Sequence, residues 1–222
     1  MSLITAKPPN AILTAFSTGL PAFLSGGPPG TVVSETFVGT PPHIPSAADV
    51  GMVASGSTLS APNVTAVLQA YVLGLEGAAH NTGVLSPAHT GWQVFAGDTN
   101  DKTVVGRVVL RRQGWKLVAV HYGELVFQAL KLSQLLTGSP PALLKGADYE
   151  LRLLSIPGLN LEVFWLAASN GGSQDYIVQA PTLGKPALQL GSASSPLETS
   201  HFLALIRPLA SSLLTIPPGY GA

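Results

Sequence analysis

No cysteine occurs in the 222 residues, which excludes disulfides, thiolate metal sites and cysteine nucleophiles and leaves the redox compartment open. Charge is nearly as scarce. Only 10% of residues are Asp, Glu, Lys or Arg, against about 25% in an average soluble domain. Such a surface is covered by Ser, Thr, Asn, Gln and Gly, or by another protein, because interface cores are depleted in charge. Eleven basic and eleven acidic side chains cancel. A zero balance argues against nucleic acid, whose phosphates need a basic footprint, and against an anionic bilayer. Long apolar runs are missing too. Pro8 to Ser34 and Val50 to Leu75 are uncharged, but proline, glycine and polar residues interrupt both, so no membrane insertion is expected. Met1 to Pro9 lacks the basic start and apolar run of a signal peptide, so the expected location is the cytoplasm.

What is present is a chain that is 46% apolar, enough for a substantial core. Residues 1–62 hold nine prolines, seven glycines and three charges (Lys7, Glu35, Asp49). Pro8-Pro9, Pro28-Pro29 and Pro41-Pro42 favour extended backbone, yet Phe16, Phe23, Phe37 and their aliphatic neighbours are too many for a free tail. The reading is an ordered, extended Pro/Gly-rich arm over 1–61, with strand composition at Thr31–Val38. An α+β globular domain over 62–216 and a tail over 217–222 follow.

In that domain, Val64, Val67, Leu68, Tyr71, Val72 and Leu75 follow helical spacing, with Asn63 as cap and Gly77 as stop. Ala66, Ala70 and Leu73 make the opposite face apolar as well, which predicts a helix buried on both sides. Strands are predicted at Trp92–Phe95, Thr103–Arg111 and Trp115–His121, the last two joined by a tight turn at Gln113-Gly114. A helix is predicted at Glu124–Thr137. Three more strands follow at Tyr149–Leu153, Leu161–Ala167 and Tyr176–Val178. A last helix is expected from Ser200 to about Ile206, interrupted at Pro208, with a resumption to Leu214 as an option. The fold class is therefore α+β: a largely antiparallel sheet of about six strands in two groups, with two to three helices packed on it.

Catalytic patterns are thin. No two of the five histidines have zinc-site spacing. His121 and Glu124 lack further metal ligands, so no metal is expected. The strand–Gly-x-Ser-x-Gly–helix elbow is absent. Ser25 to Gly30 is glycine-rich but lacks the Lys-Ser/Thr ending of a phosphate cradle, so no cofactor is expected. Asp98-Thr99-Asn100 lacks the glycine and glutamate of a calcium loop. Lys102, Arg107, Arg111, Arg112 and Lys116 form one basic group, which the zero total assigns to the solvated face of a hairpin. Gln93-Val94-Phe95-Ala96-Gly97 resembles the Gln-x-Val-x-Gly inhibitory loop of cystatins, with Phe95 in the valine position and no Pro-Trp dipeptide for a second loop. The resemblance implies a protease-binding wedge at 93–97.

Three functions follow. The first is a non-enzymatic interaction or assembly protein, a homo-oligomer or one with a protein partner. It buries Ala66, Ala70 and Leu73 of the first helix against Phe16, Phe23 and Phe37 of an arm. The second is a small hydrolase with a dispersed site, for which His121, Glu124, Asp175 and His201 are the candidates. The third is the protease inhibitor.

Overall fold

The computed structural model describes residues 2–24, 48–52, 54–55, 58–59, 61–80, 83–97, 102–144, 147–169, 174–180 and 195–215. Among the described residues the class is α+β, as expected, with nine strands in one sheet rather than about six and four helices rather than two to three. The chain divides into two compact units. A hairpin unit comprises Thr5–Gln69 and Thr90–Gln134, and a meander unit comprises Met1–Ile4, Ala70–His89 and Leu135–Ala222.

In the hairpin unit, helix α1 (Asn10–Leu24) lies against the strands β6 (Val104–Arg111) and β7 (Gly114–Tyr122). Ile12, Phe16 and Leu20 recur every fourth residue, and all three are fully buried with Val94, Val108 and Val120. The strand β5 (Ala88–Ala96) pairs with β6 from Trp92↔Val108 to Ala96↔Val104, antiparallel. Helix α3 (Glu124–Gly138) follows β7.

In the meander unit, β8 (Tyr149–Ile156), β9 (Leu161–Ala168) and β10 (Tyr176–Gln179) are successive antiparallel neighbours, and β11 (Leu197–Glu198) closes that side. The two-residue β1 (Leu3–Ile4) joins β8 in parallel. Helices α2 (Leu75–His80) and α4 (Thr199–Leu214) pack together over Leu154, Val163, Trp165 and Ile177. With β4 (Val64–Val72), the sheet order is β11-β10-β9-β8-β4-β5-β6-β7. The strands β2 (Ala54–Ser55) and β3 (Thr58–Leu59) pair separately.

Four sequence expectations change. Residues 64–72 are a strand, not a helix. This strand lies inside the sheet, between β8 and β5, and none of its residues is exposed, so apolar residues stand on both of its faces. The same composition arises in a helix buried all round, and Val64, Thr65, Val67 and Val72 supply β-branched content. Residues 10–24 are helical rather than extended. Pro8 and Pro9 stand before the first turn, where a missing N–H costs nothing, and only Pro21 lies inside. Helix α4 runs through Pro208 without interruption. The tight hairpin is present, but Arg111 pairs with Gly114, so the loop is Arg112-Gln113. Gly114 takes the positive φ of 100° as the first strand residue. The expected strand at 31–38, the turn at 98–101 and the tail at 217–222 lie outside the described residues.

Candidate interaction surface

The β6–β7 hairpin carries two different faces. Register places Val104, Gly106, Val108 and Leu110 on the side of α1, together with Trp115, Leu117, Val120 and Tyr122. Val105, Arg107, Val109 and Arg111 point to the other side, with Lys116 opposite Val109. Between Arg107↔Ala119 and Val108↔Leu117 the pairing slips by one residue. Val118 is therefore the extra residue of a β-bulge, which bends and twists the strand.

At the far end of the hairpin, Leu110, Arg111, Arg112, Gln113 and Lys116 are all exposed. Leu110 is 63% exposed. No acidic residue occurs anywhere from Lys102 to Gly123. Among the described residues, none of Arg111, Arg112 and Lys116 has an ion pair, whereas Lys102 lies 3.6 Å from Asp49. Beside the hairpin, Ala11, Thr14, Ala15, Thr18 and Gly19 of α1 form one wall of a groove of about 560 Å³, and Trp115, Lys116 and Leu117 form the other.

In the meander unit, a row of side chains runs across the strands. The Arg152 guanidinium lies 4.8 Å from the centre of the Trp165 ring and 5.1 Å from that of Tyr71, and Tyr71 lies 5.1 Å from His89. Arg152 donates to Glu150 Oε2 through Nη2 at 2.6 Å and Nε at 3.1 Å. The other carboxylate oxygen, Glu150 Oε1, is buried without a hydrogen bond. Burial raises the pKa of Tyr71 above its ordinary 10.0, and the charge of Arg152 opposes that rise. The row is held together by ring stacking, by the guanidinium over both rings and by the Arg152–Glu150 ion pair.

One end of the same sheet carries the acidic residues Asp148, Asp175 and Glu198, and a recess lined by the second of them. Ser169 N–H donates to the Asp148 carbonyl and Thr199 N–H to the Asp175 carbonyl, at 2.9 and 3.1 Å. Ala168 N–H donates to Asp175 Oδ1 at 2.9 Å, and Trp165 Nε1–H donates to Asp175 Oδ2 at 2.9 Å. Glu198 follows through its pairing with Tyr176. The recess, about 360 Å³, is lined by Gly83, Val84, Leu85, Ala168, Gln174, Asp175 and Thr199.

The residues expected to form sites fall as follows. His121 in β7 and Glu124 at the start of α3 belong to the hairpin unit; Asp175 and His201 belong to the meander unit. Both carboxylate oxygens of Asp175 accept structural hydrogen bonds, and His201 lies exposed on α4. No group of three or more His, Cys, Asp or Glu is placed to hold a metal ion among the described residues. Phe16, Ala70 and Leu73 are buried within the chain, Phe23 and Ala66 are half-buried, and Phe37 lies outside the described residues. In the cystatin-like segment, Val94, Phe95 and Ala96 are buried, and the strand pairs with β6. The exposed wedge that the resemblance requires is not formed. Among the described residues, no helix is long and apolar enough to cross a membrane.

Leu110 and Val84, the two most exposed large apolar residues among those described, escape a reading by periodicity. Leu110 continues the buried alternation of Val104, Gly106 and Val108 past the point where cover ends, and Val84 sits in a short connection. The acid-free run from 102 to 123 was the available signal. No protein-family model matches the chain, and neither the curated proteins nor the solved structures contain a match to it.

Proposed function

We propose that this chain is a non-enzymatic interaction and assembly protein that associates with itself, and that its contact element is the tip of the β6–β7 hairpin. One observation supports the reading above others: at the exposed hairpin tip, Leu110 on one face and Arg111 and Lys116 on the other flank the turn residue Arg112, and none of the three basic residues has an ion pair among the described residues. An exposed apolar side chain next to arginines suits a protein interface that wraps the tip from both faces. A nucleic-acid reading is weaker. The basic face of the hairpin, with Arg107, Arg111 and Lys116, presents no aromatic ring for stacking, because Trp115 lies on the opposite face.

The test is molar mass by light scattering over a wide range of concentration and salt. The wild type is expected to rise above its monomer mass of 22.8 kDa as concentration increases, and Leu110→Asp to remain monomeric with unchanged circular dichroism. A wild type that stays monomeric at every concentration and ionic strength overturns the reading.

A further inference from the structure

We propose that the hairpin tip of one copy docks into the recess at the acidic sheet end of a second copy's meander unit, so that the chain assembles head to tail. This rests on the assembly reading above and names the receiving surface, which that reading leaves open.

Two independent features of the tip have counterparts there. The first is apolar. Leu110 is 63% exposed, and Val84 at the mouth of the recess is 77% exposed, so the described part of the chain covers neither. With Leu85 and Ala168, Val84 forms an apolar wall in a recess of about 360 Å³. An exposed leucine and an exposed valine-lined hollow both gain by burial against each other.

The second is charge. The recess opens at the sheet end that carries Asp148, Asp175 and Glu198; Asp175 lines it with both oxygens accepting hydrogen bonds, Ser2 holds Asp148, and Glu198, next to the lining Thr199, is the acidic side chain placed to meet the tip. Asp148 and Glu198 are exposed. The tip offers Arg111, Arg112 and Lys116. The zero net charge conceals a division: the hairpin unit holds seven basic and five acidic residues, and the meander unit four basic and six acidic. A second copy therefore presents what the tip lacks. Two tips facing each other bring like charges together, which disfavours a symmetric tip-to-tip dimer. Tip and recess are different surfaces, so the contact is heterologous and propagates until a ring closes or a filament grows.

That asymmetry gives a discriminating experiment. Arg111→Glu/Arg112→Glu removes the tip and leaves the recess native. Gln174→Lys/Glu198→Lys cancels the negative charge at the recess, setting two lysines against the remaining Asp148 and Asp175, and leaves the tip native. Val84→Arg serves as a second recess variant should the first melt early. In dilute buffer of about 0.01 M ionic strength, where charges act over about 30 Å, the wild type should exceed dimer mass as concentration rises. At about 1 M salt its association should weaken at least about tenfold. Each variant alone should be monomeric. An equimolar mixture of a tip variant and a recess variant should form a 1:1 complex of twice 22.8 kDa and grow no further, because each partner keeps one working surface. If the wild type associates but the mixture stays monomeric, or a single variant still associates, the tip-to-recess contact is wrong and the assembly reading stands. A tip that binds duplex DNA while the chain stays monomeric overturns both.

Discussion

Gly106 is the point at which α1 meets the sheet. A Cβ there would sit 2.5 Å from Phe16 Cε2 and 2.7 Å from Leu117 Cδ1, and Phe16 is fully buried. Gly106→Ala should therefore lower stability by about 1–3 kcal/mol through overpacking, read as a shifted denaturation midpoint. A second residue-scale case is Arg152, whose guanidinium is, among the described residues, the one hydrogen-bond donor to the Glu150 carboxylate. Arg152→Met leaves that half-buried carboxylate bare and should cost about 1–3 kcal/mol. Adding Glu150→Gln should return part of the loss, which a double-mutant cycle measures. Asp148 carries the pH dependence of the N-terminal strand. The Ser2 N–H, at 2.6 Å, and then the Ser2 hydroxyl hold its carboxyl below the ordinary 3.8. A depressed carboxyl contributes fully above the unfolded value and loses its contribution as pH falls through the folded one. Below pH 3.8 the wild type should thus lose stability that Asp148→Asn does not have to lose, so the acid limb of the variant's stability curve should be flatter.

At the scale of elements, the ends of the sheet are where packing and solubility compete. No strand among the described residues pairs with the outer side of β7, and its nine residues include Trp115, Leu117, Val118 and Val120. A flat apolar edge invites indiscriminate pairing, and the bulge at Val118 with Lys116 beside it opposes that. Deleting Val118 leaves Ala119 and Leu117 as consecutive partners of Arg107 and Val108, so the strand becomes regular without inverting its faces. The deletion should produce irreversible aggregates seen by turbidity, distinct from a salt-reversible association. Several elements are legible: β6 and β7 from their β-rich composition, α3 from helical spacing, β8 from alternation, and β9 and β10 from apolar runs bounded by turns. Two elements are not, and for opposite reasons. β4 has no solvent face, so its period is lost and its composition fits strand or helix alike. α1 has a clear stripe at Ile12, Phe16 and Leu20, but the surrounding prolines and glycines outweighed it. The surface proposed for assembly was visible only as a basic group. Its apolar half depends on where cover ends, which is a tertiary fact.

The whole molecule has two compact units but few places to separate them. The chain passes between them after Ile4, Gln69, His89 and Gln134. Only the first passage falls in a connection. The others lie within β4 (Val64–Val72), β5 (Ala88–Ala96) and α3 (Glu124–Gly138). Unfolding the meander unit therefore frays two strands and a helix whose remaining residues belong to the hairpin unit. Helix turns and strand pairs lose stability when shortened, because nucleation is costly and the buried face shrinks. Leu73 shows the coupling at a defined site. It is buried with Ala78, Leu154 and Phe202 in the meander unit, one residue beyond the end of β4. Leu73→Glu should cost at least about 3 kcal/mol. Its consequence at the scale of the chain is the sharper prediction. If the units were independent, the substitution would split melting into an early transition and an unchanged late one. Shared elements require instead one transition at a lower temperature, with calorimetric and van't Hoff enthalpies equal in wild type and variant. Hydrogen exchange should agree, with the protected amides of β6 in the hairpin unit opening sooner when Leu73 is replaced. Two resolved calorimetric peaks would show that β4, β5 and α3 do not transmit unfolding across the division.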